Sequence, residues 1–255
     1  HLAAGNVVYA GVDYAQIVMR AEQEADVILW DGGNNDFPFL SPDLHIVLVD
    51  PLRPGNEDSH HPGEAVLRMA DIIVVAKVNS ASDRDVQEVT ESARAINASA
   101  PIVRAMSTVS AEKPDLIRGR RVLVIEDGPS VTHGGMPYGA GYVAAAAAQA
   151  AEILDPRAAA VGEIAEVYAR YPHIGAVLPA VGYHPAQLQA LQATINAVSA
   201  DVVVVATPCD LSALLSIDKP VVRVRYEFAE AGEPGLGSLV EDFLLRTGLV
   251  RDSRG

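Results

Sequence analysis

Short, nearly continuous apolar runs recur along the chain and constrain its fold more than any other feature. They fall at Asn6–Ala10, Asp26–Asp31, Leu44–Asp50, Ile72–Lys77, Arg121–Glu126, Ala176–Leu178, Val202–Thr207 and Val221–Tyr226. A strand with one wet face alternates apolar and polar residues, whereas one covered on both faces reads as an unbroken β-branched run. Between the runs lie helical patterns such as "YAQIVMRAEQEA", "PGEAVLRMA", "DRDVQEVTESARAIN" and "PAQLQALQATINAVSA". Strand and helix in alternation predict an α/β fold with a doubly wound, mainly parallel sheet.

Such sheets bind ligands beyond the carboxyl ends of their strands. The segments that follow the runs are "WDGGNNDFPF", "VDPLRPGNEDSHHPGE", "AKVNSASD", a long glycine-rich stretch, "LPAVGYHP" and "ATPCDLS", so polar chemistry gathers on one edge. Net charge is −14 over 255 residues, which argues against nucleic acid or an anionic membrane as partner. No apolar run has the roughly 20 residues a membrane span requires. A single cysteine, Cys209, cannot form an internal disulfide, and a reducing cytoplasm is the expected location. Exposed sheet edges make a homodimer an expected assembly.

"VILWDGG" ends an apolar run in Asp31, Gly32 and Gly33, the form that presents a carboxylate to Mg²⁺ held by nucleotide phosphates, with Asp36 as a second ligand. The same Asp31 also suits the cap of a turn. "IIVVAKVNSASD" puts Lys77 and Asn79 just past a strand, where GTP-binding proteins carry Asn-Lys-x-Asp to recognise the base. Arg53, His60, His61 and Glu64 cluster in "PLRPGNEDSHHPGE", a set that suits either a phosphate or metal site or, for Glu64, the first turn of a helix behind Pro62.

Five glycines lie between Gly128 and Gly141, in a thirteen-residue join from strand to alanine-rich helix. Thr132, His133, Gly134 and Gly135, followed by Gly139 and Gly141, lead into a helix N-terminus whose N–H groups suit an anion, with His133 donating. The join also marks the expected division of the chain, residues 1–128 against 129–255. No Gly-x-x-x-x-Gly-Lys-Ser/Thr segment is present.

Together "VVYAGVDY", "ADVILWDGGNNDFPF", "DLHIVLVDPLRPG", "HPGEAVLRMADIIVVAKVN", "VLVIEDGPSVTHGGMPYGAGYVAA" and "KPVVRVRYE" resemble the cyclic 2,3-diphosphoglycerate synthetase family and its relatives, described as predicted P-loop GTPases. The resemblance implies a P-loop NTPase-like domain incomplete at its N-terminus, with the phosphate-binding loop upstream. It implies an enzyme that uses ATP or GTP with Mg²⁺ to close an intramolecular phosphoanhydride on a small phosphorylated metabolite. Asp31 matches the metal-binding aspartate of the family, and Lys77 with Asn79 matches its base-contacting segment. Arg53 and His133 are the expected catalytic groups, and His61, Thr132, Gly134 and Gly135 the expected substrate contacts. The alternative is a regulatory nucleotide-binding module without synthetase activity.

Overall fold

The most apolar runs, "IIVV" and "VVVVA", form strands buried along their whole length, as expected of strands covered on both faces. They belong to different parts of the molecule. The computed structural model describes residues 5–32, 37–182 and 184–249. The chain divides into two compact units, one running up to Ser107 and resuming at Phe228, the other spanning Thr108–Glu227.

The first unit opens with α1 (Tyr14–Ala21), capped by the Asp13 carboxylate, which accepts from Gln16 N. Then come β1 (Ile46–Val49), α2 (Asn56–Ser59), α3 (Gly63–Arg68), β2 (Ile72–Val75), α4 (Asp83–Ile96) and β3 (Ile102–Ala111). β1 pairs with β2 and β2 with β3, both in parallel. Ser82 caps α4, which lays Val86, Val89 and Ala93 against Val49, Leu67, Ile73 and Val75. Beyond α4 the buried Asn97 amide donates to Leu67 O and Ala70 O and accepts from Ala100 N, fixing the entry to β3.

β3 carries the chain into the second unit. There follow β4 (Arg121–Asp127), α5 (Gly128–Val131), α6 (Ala140–Ala147), β5 (Glu152–Ile153), α7 (Glu163–Arg170), β6 (Leu178–Ala180), α8 (Pro185–Ala197), β7 (Val202–Ala206), α9 (Leu211–Leu214) and β8 (Val221–Glu230). β4 is central, with β7 along one side and β5 and then β6 along the other. β8 pairs with β7, and all these ladders are parallel. The core gathers Leu123, Ile125, Leu178, Ile195, Val203 and Val205. β8 returns the chain to the first unit, where α10 (Leu236–Thr247) packs Leu236 and Leu239 beside Ile72, Val74 and Val103.

The doubly wound parallel reading holds. Two expected strands do not: neither Asn6–Ala10 nor Asp26–Asp31 is paired, and Val7, Val8, Ile28 and Leu29 are exposed. An apolar run becomes a strand only where a neighbour accepts its ladder hydrogen bonds, and none of the described residues does so here. The Tyr14 ring stacks on Phe39 at 4.4 Å and Trp30 meets Phe39 edge-on, a local cluster in place of a sheet. Among the described residues no helix is long and apolar enough to cross a membrane.

Candidate functional site

In the first unit the carboxyl ends of β1 and β2 bring three charges together. Asp50 follows β1, and its carboxylate accepts from Lys77 Nζ at 2.7 Å and from Arg53 Nη2 at 3.0 Å. Burial pushes the Asp50 carboxyl up, but the Lys77 ammonium, the Leu52 N–H and the Arg53 charge outweigh it and hold the group below the usual carboxylate range. Lys77 sits at φ +56°, a left-handed conformation unusual for a residue with a side chain, directly after β2. Asn79 lies two residues on, and its amide is doubly engaged: Nδ2 donates to Ser107 O and Oδ1 accepts from Ser107 N. A base approaching Asn79 has to displace that pair.

Asp31 and Gly32 are exposed and lie outside any strand, so Asp31 is not carried to a sheet edge by its own run. Gly33 and Asp36 lie outside the described residues. The His61 ring stands 5.9 Å from Phe37, while Glu64 pairs with Arg68 along α3, the structural role open to it from the start. Among the described residues no three His, Cys, Asp or Glu side chains converge on a common metal position.

In the second unit the connections out of β4 lead to β5 and β6 on one side, whereas β7, on the other side, leads away to β8. Adjacent strands whose connections depart in opposite directions leave a crevice at their carboxyl ends. Asp127 and Gly128 flank it from β4, and Thr207 to Asp210 from β7.

The glycine-rich join starts at this crevice, and what approaches its backbone is a carboxylate of the chain itself. Glu126, near the end of β4 and 2% exposed, accepts from Gly139 N at 3.0 Å, Gly141 N at 3.1 Å and Tyr142 N at 2.7 Å. The N-terminus of α6, expected to hold a ligand anion, is therefore occupied by Glu126. A Cβ on residue 139 would stand 2.7 Å from Glu126 Oε2, and one on residue 141 would stand 2.8 Å from Val124 Cγ1. Glycine is required at both because the carboxylate and the strand come that close. Burial raises the Glu126 pKa above the ordinary glutamate range, and the three N–H groups pull it only part of the way back.

Thr132 turns inward, its hydroxyl donating to Gly128 O, while Gly134 N donates to Pro129 O in a tight turn that leaves 2.5 Å between a residue-134 Cβ and Ser130 O. His133 is exposed, with its ring edge-on to Tyr171, and Gly135 is exposed beside it. Thr132, His133, Gly134 and Gly135 thus follow α5 out of β4, with the buried threonine and Gly134 shaping the turn. Asp50 and Glu126 escaped the sequence reading. An acid inside an apolar strand, followed by glycines at a helix start, was the signal available for Glu126.

Fold and site together define a doubly wound α/β protein whose polar groups collect at the carboxyl edges of its parallel strands. No family model matches the chain. Over 243 residues, 95% of its length, it is 53% identical to the arginine synthetase ArcE of Thermococcus kodakarensis, and it spans 54% of that protein. The relative is thus named as a synthetase, and not as the cyclic 2,3-diphosphoglycerate enzyme the motifs resemble.

Proposed function

We propose that this chain is part of a nucleotide-dependent synthetase that forms arginine. The carrying observation is the 53% identity over 243 residues to a protein named for that product. Arginine differs from its ureido counterpart by one nitrogen in place of one oxygen. A synthetase can make that exchange by transferring a phosphoryl group from ATP or GTP to the ureido oxygen, so that phosphate leaves when nitrogen attacks the carbon. Closure of a phosphoanhydride in 2,3-diphosphoglycerate, the reaction of the family the motifs resemble, is the second reading. It uses the same first step, phosphoryl transfer to a substrate oxygen.

Lys77 and Arg53 are the cations that would face nucleotide phosphates at the first unit's carboxyl edge, with Asp50 holding them in place. Of the expected metal ligands Asp31 is described, and its exposed carboxylate is the hard oxygen donor Mg²⁺ takes one or two at a time. Bound there, the metal would supply charge neutralisation for the phosphates. His133 and Gly135, exposed in the second unit, and, separately, His61 in the first are our proposed substrate-side residues, while the buried Thr132, with Gly134, shapes the turn that carries the first two. Incubating the intact protein with ATP or GTP, Mg²⁺, ammonium and citrulline, in parallel with 2,3-diphosphoglycerate, tests the proposal. Arginine and nucleoside diphosphate in equal amounts are expected. A cyclic diphosphoglycerate product, or no arginine with either nucleotide, would overturn it.

A further inference from the structure

The second unit contains a cavity of about 290 Å³ beside the crevice, on the β7 side. It opens where β7 ends, against the face of β8, and its lining includes Thr207, Arg223, Arg225, Tyr226 and Glu227. Small-molecule sites run from roughly 300 to 1,000 Å³, so this one suits a small metabolite and is too small for a nucleotide. It borders the carboxyl end of β7, one wall of the crevice that the topology creates beside β4.

Its charges are mixed in a way that selects among ligands. Arg225 is committed: Nε and Nη2 both contact Glu112 Oε1, at 2.9 and 2.8 Å. Arg223 is held loosely, with Nη1 3.5 Å from Asp210 Oδ2, at the outer edge of hydrogen-bond range, and both side chains partly exposed. Arg223, Arg225 and Glu227 line the cavity, and Asp210 and Glu112, the partners of the two arginines, stand beside it, so two guanidinium groups meet three carboxylates at and around its wall. A phosphate or other polyanion meets net repulsion there. A zwitterion inserted between Arg223 and Asp210 exchanges one loose pair for two charge-assisted contacts.

We infer that this cavity binds the α-amino and α-carboxylate groups of an amino acid, Arg223 taking the carboxylate and Asp210 the ammonium, with a neutral or cationic side chain directed toward Tyr226. The charge balance stands on its own; the choice of arginine as probe rests on the function proposed above.

Calorimetric titration of the full chain with L-arginine, agmatine and Nα-acetyl-arginine tests each contact separately, because agmatine lacks the carboxylate and the acetyl compound lacks the ammonium. Arginine is expected to bind at least about tenfold more tightly than either, the scale of one lost charged hydrogen bond. Arg223→Gln should weaken arginine about tenfold and leave agmatine nearly unchanged. Asp210→Asn, at the exposed residue just before α9, should weaken agmatine and arginine alike while sparing the acetyl compound, and it serves if the arginine variant fails to fold. Equal binding of arginine and agmatine, no response to either substitution, or displacement of arginine by equimolar inorganic phosphate would overturn the inference. Arginine synthesis by the intact enzyme with binding unaffected by both variants would sink the pocket alone. The expected binding order without arginine synthesis would sink the proposed reaction alone.

Discussion

Replacing Glu126 by glutamine keeps the shape of a fully buried side chain and changes only what it can accept. In the native protein Oε1 takes the N–H groups of Gly139 and Tyr142, and Oε2 takes that of Gly141. A glutamine oxygen can keep the first pair, but its NH₂ group then confronts the Gly141 N–H, two donors facing each other at a cost of about 1–3 kcal/mol. Alanine abandons all three donors, and with water re-entering the vacated space we expect about 3–5 kcal/mol, the range reserved for changes that break a buried network. The pH dependence identifies the cause. Because the folded pKa is raised, the unfolded chain releases this proton first, and the charged form of Glu126 is the less stable one in the fold. Its favourable contribution is therefore complete below the ordinary glutamate value near 4.5 and is lost as pH rises through the folded pKa. Urea unfolding of native protein and Glu126→Gln from about pH 4 to about pH 8 should show the native stability falling relative to the variant over that window, by up to about 1.4 kcal/mol per pH unit. A constant difference between the two proteins across the range, or an alanine variant within about 0.5 kcal/mol of native, would refute the reasoning.

Substitutions at three other positions probe further contacts. Gly139→Ala should destabilise by about 1–3 kcal/mol, and much less in a Glu126→Ala background, because the carboxylate it displaces is then gone; additive effects in the double-mutant cycle would count against the contact. Lys77→Ala removes the ammonium from Asp50 while keeping a side chain at φ +56°, so it should cost about 1–2 kcal/mol after allowance for its partial exposure, and Lys77→Gly about 1 kcal/mol less. Since Asp50 is held below its ordinary range, its stabilisation is present above that value and lost as pH falls through the folded pKa; the Lys77→Ala deficit should therefore shrink on acidification below about pH 4, and unfolding curves at neutral and acid pH check it. Asn79→Ala should lower stability by about 1–2 kcal/mol through loss of both contacts to Ser107, a loss that thermal unfolding without nucleotide will detect.

Continuous apolar composition made β2, β4 and β7 legible, because a strand covered on both faces has no polar face to confuse its reading. β3 was missed for the opposite reason: "IVRAMSTVSA" starts covered and becomes exposed at alternate positions, a pattern with no clear period. Asn6–Ala10 and Asp26–Asp31 have composition as strand-like as β1, yet composition reports only what a run could bury, and pairing depends on a neighbour far away in sequence. The site divides the same way. That polar groups would gather after the strands was readable, since it follows from parallel topology. That Asp50 would join Lys77 across 27 positions, or Glu126 reach Gly139, Gly141 and Tyr142, was not, because those distances exist only after the strands are in register.

The glycine-rich join shows how much turns on that difference. Glycines ahead of a helix usually suggest a cradle for a ligand anion, since both features favour exposed N–H groups. Here the cradle holds Glu126, and the requirement for glycine at 139 and 141 follows from the approach of that carboxylate and of Val124. A helix end whose donors already face a carboxylate has no attraction left for a second anion. A phosphate could enter only by driving Glu126 out, and that step meets a group held by three hydrogen bonds. On the proposed function, ligand recognition in this unit would rest on side chains that remain accessible. His133 stands exposed on one loop, and Arg223 in β8 and Asp210 just before α9 have a loose contact between them. The loose pair has the more to gain from a ligand, because each partner can exchange a 3.5 Å contact for a direct charge-assisted bond.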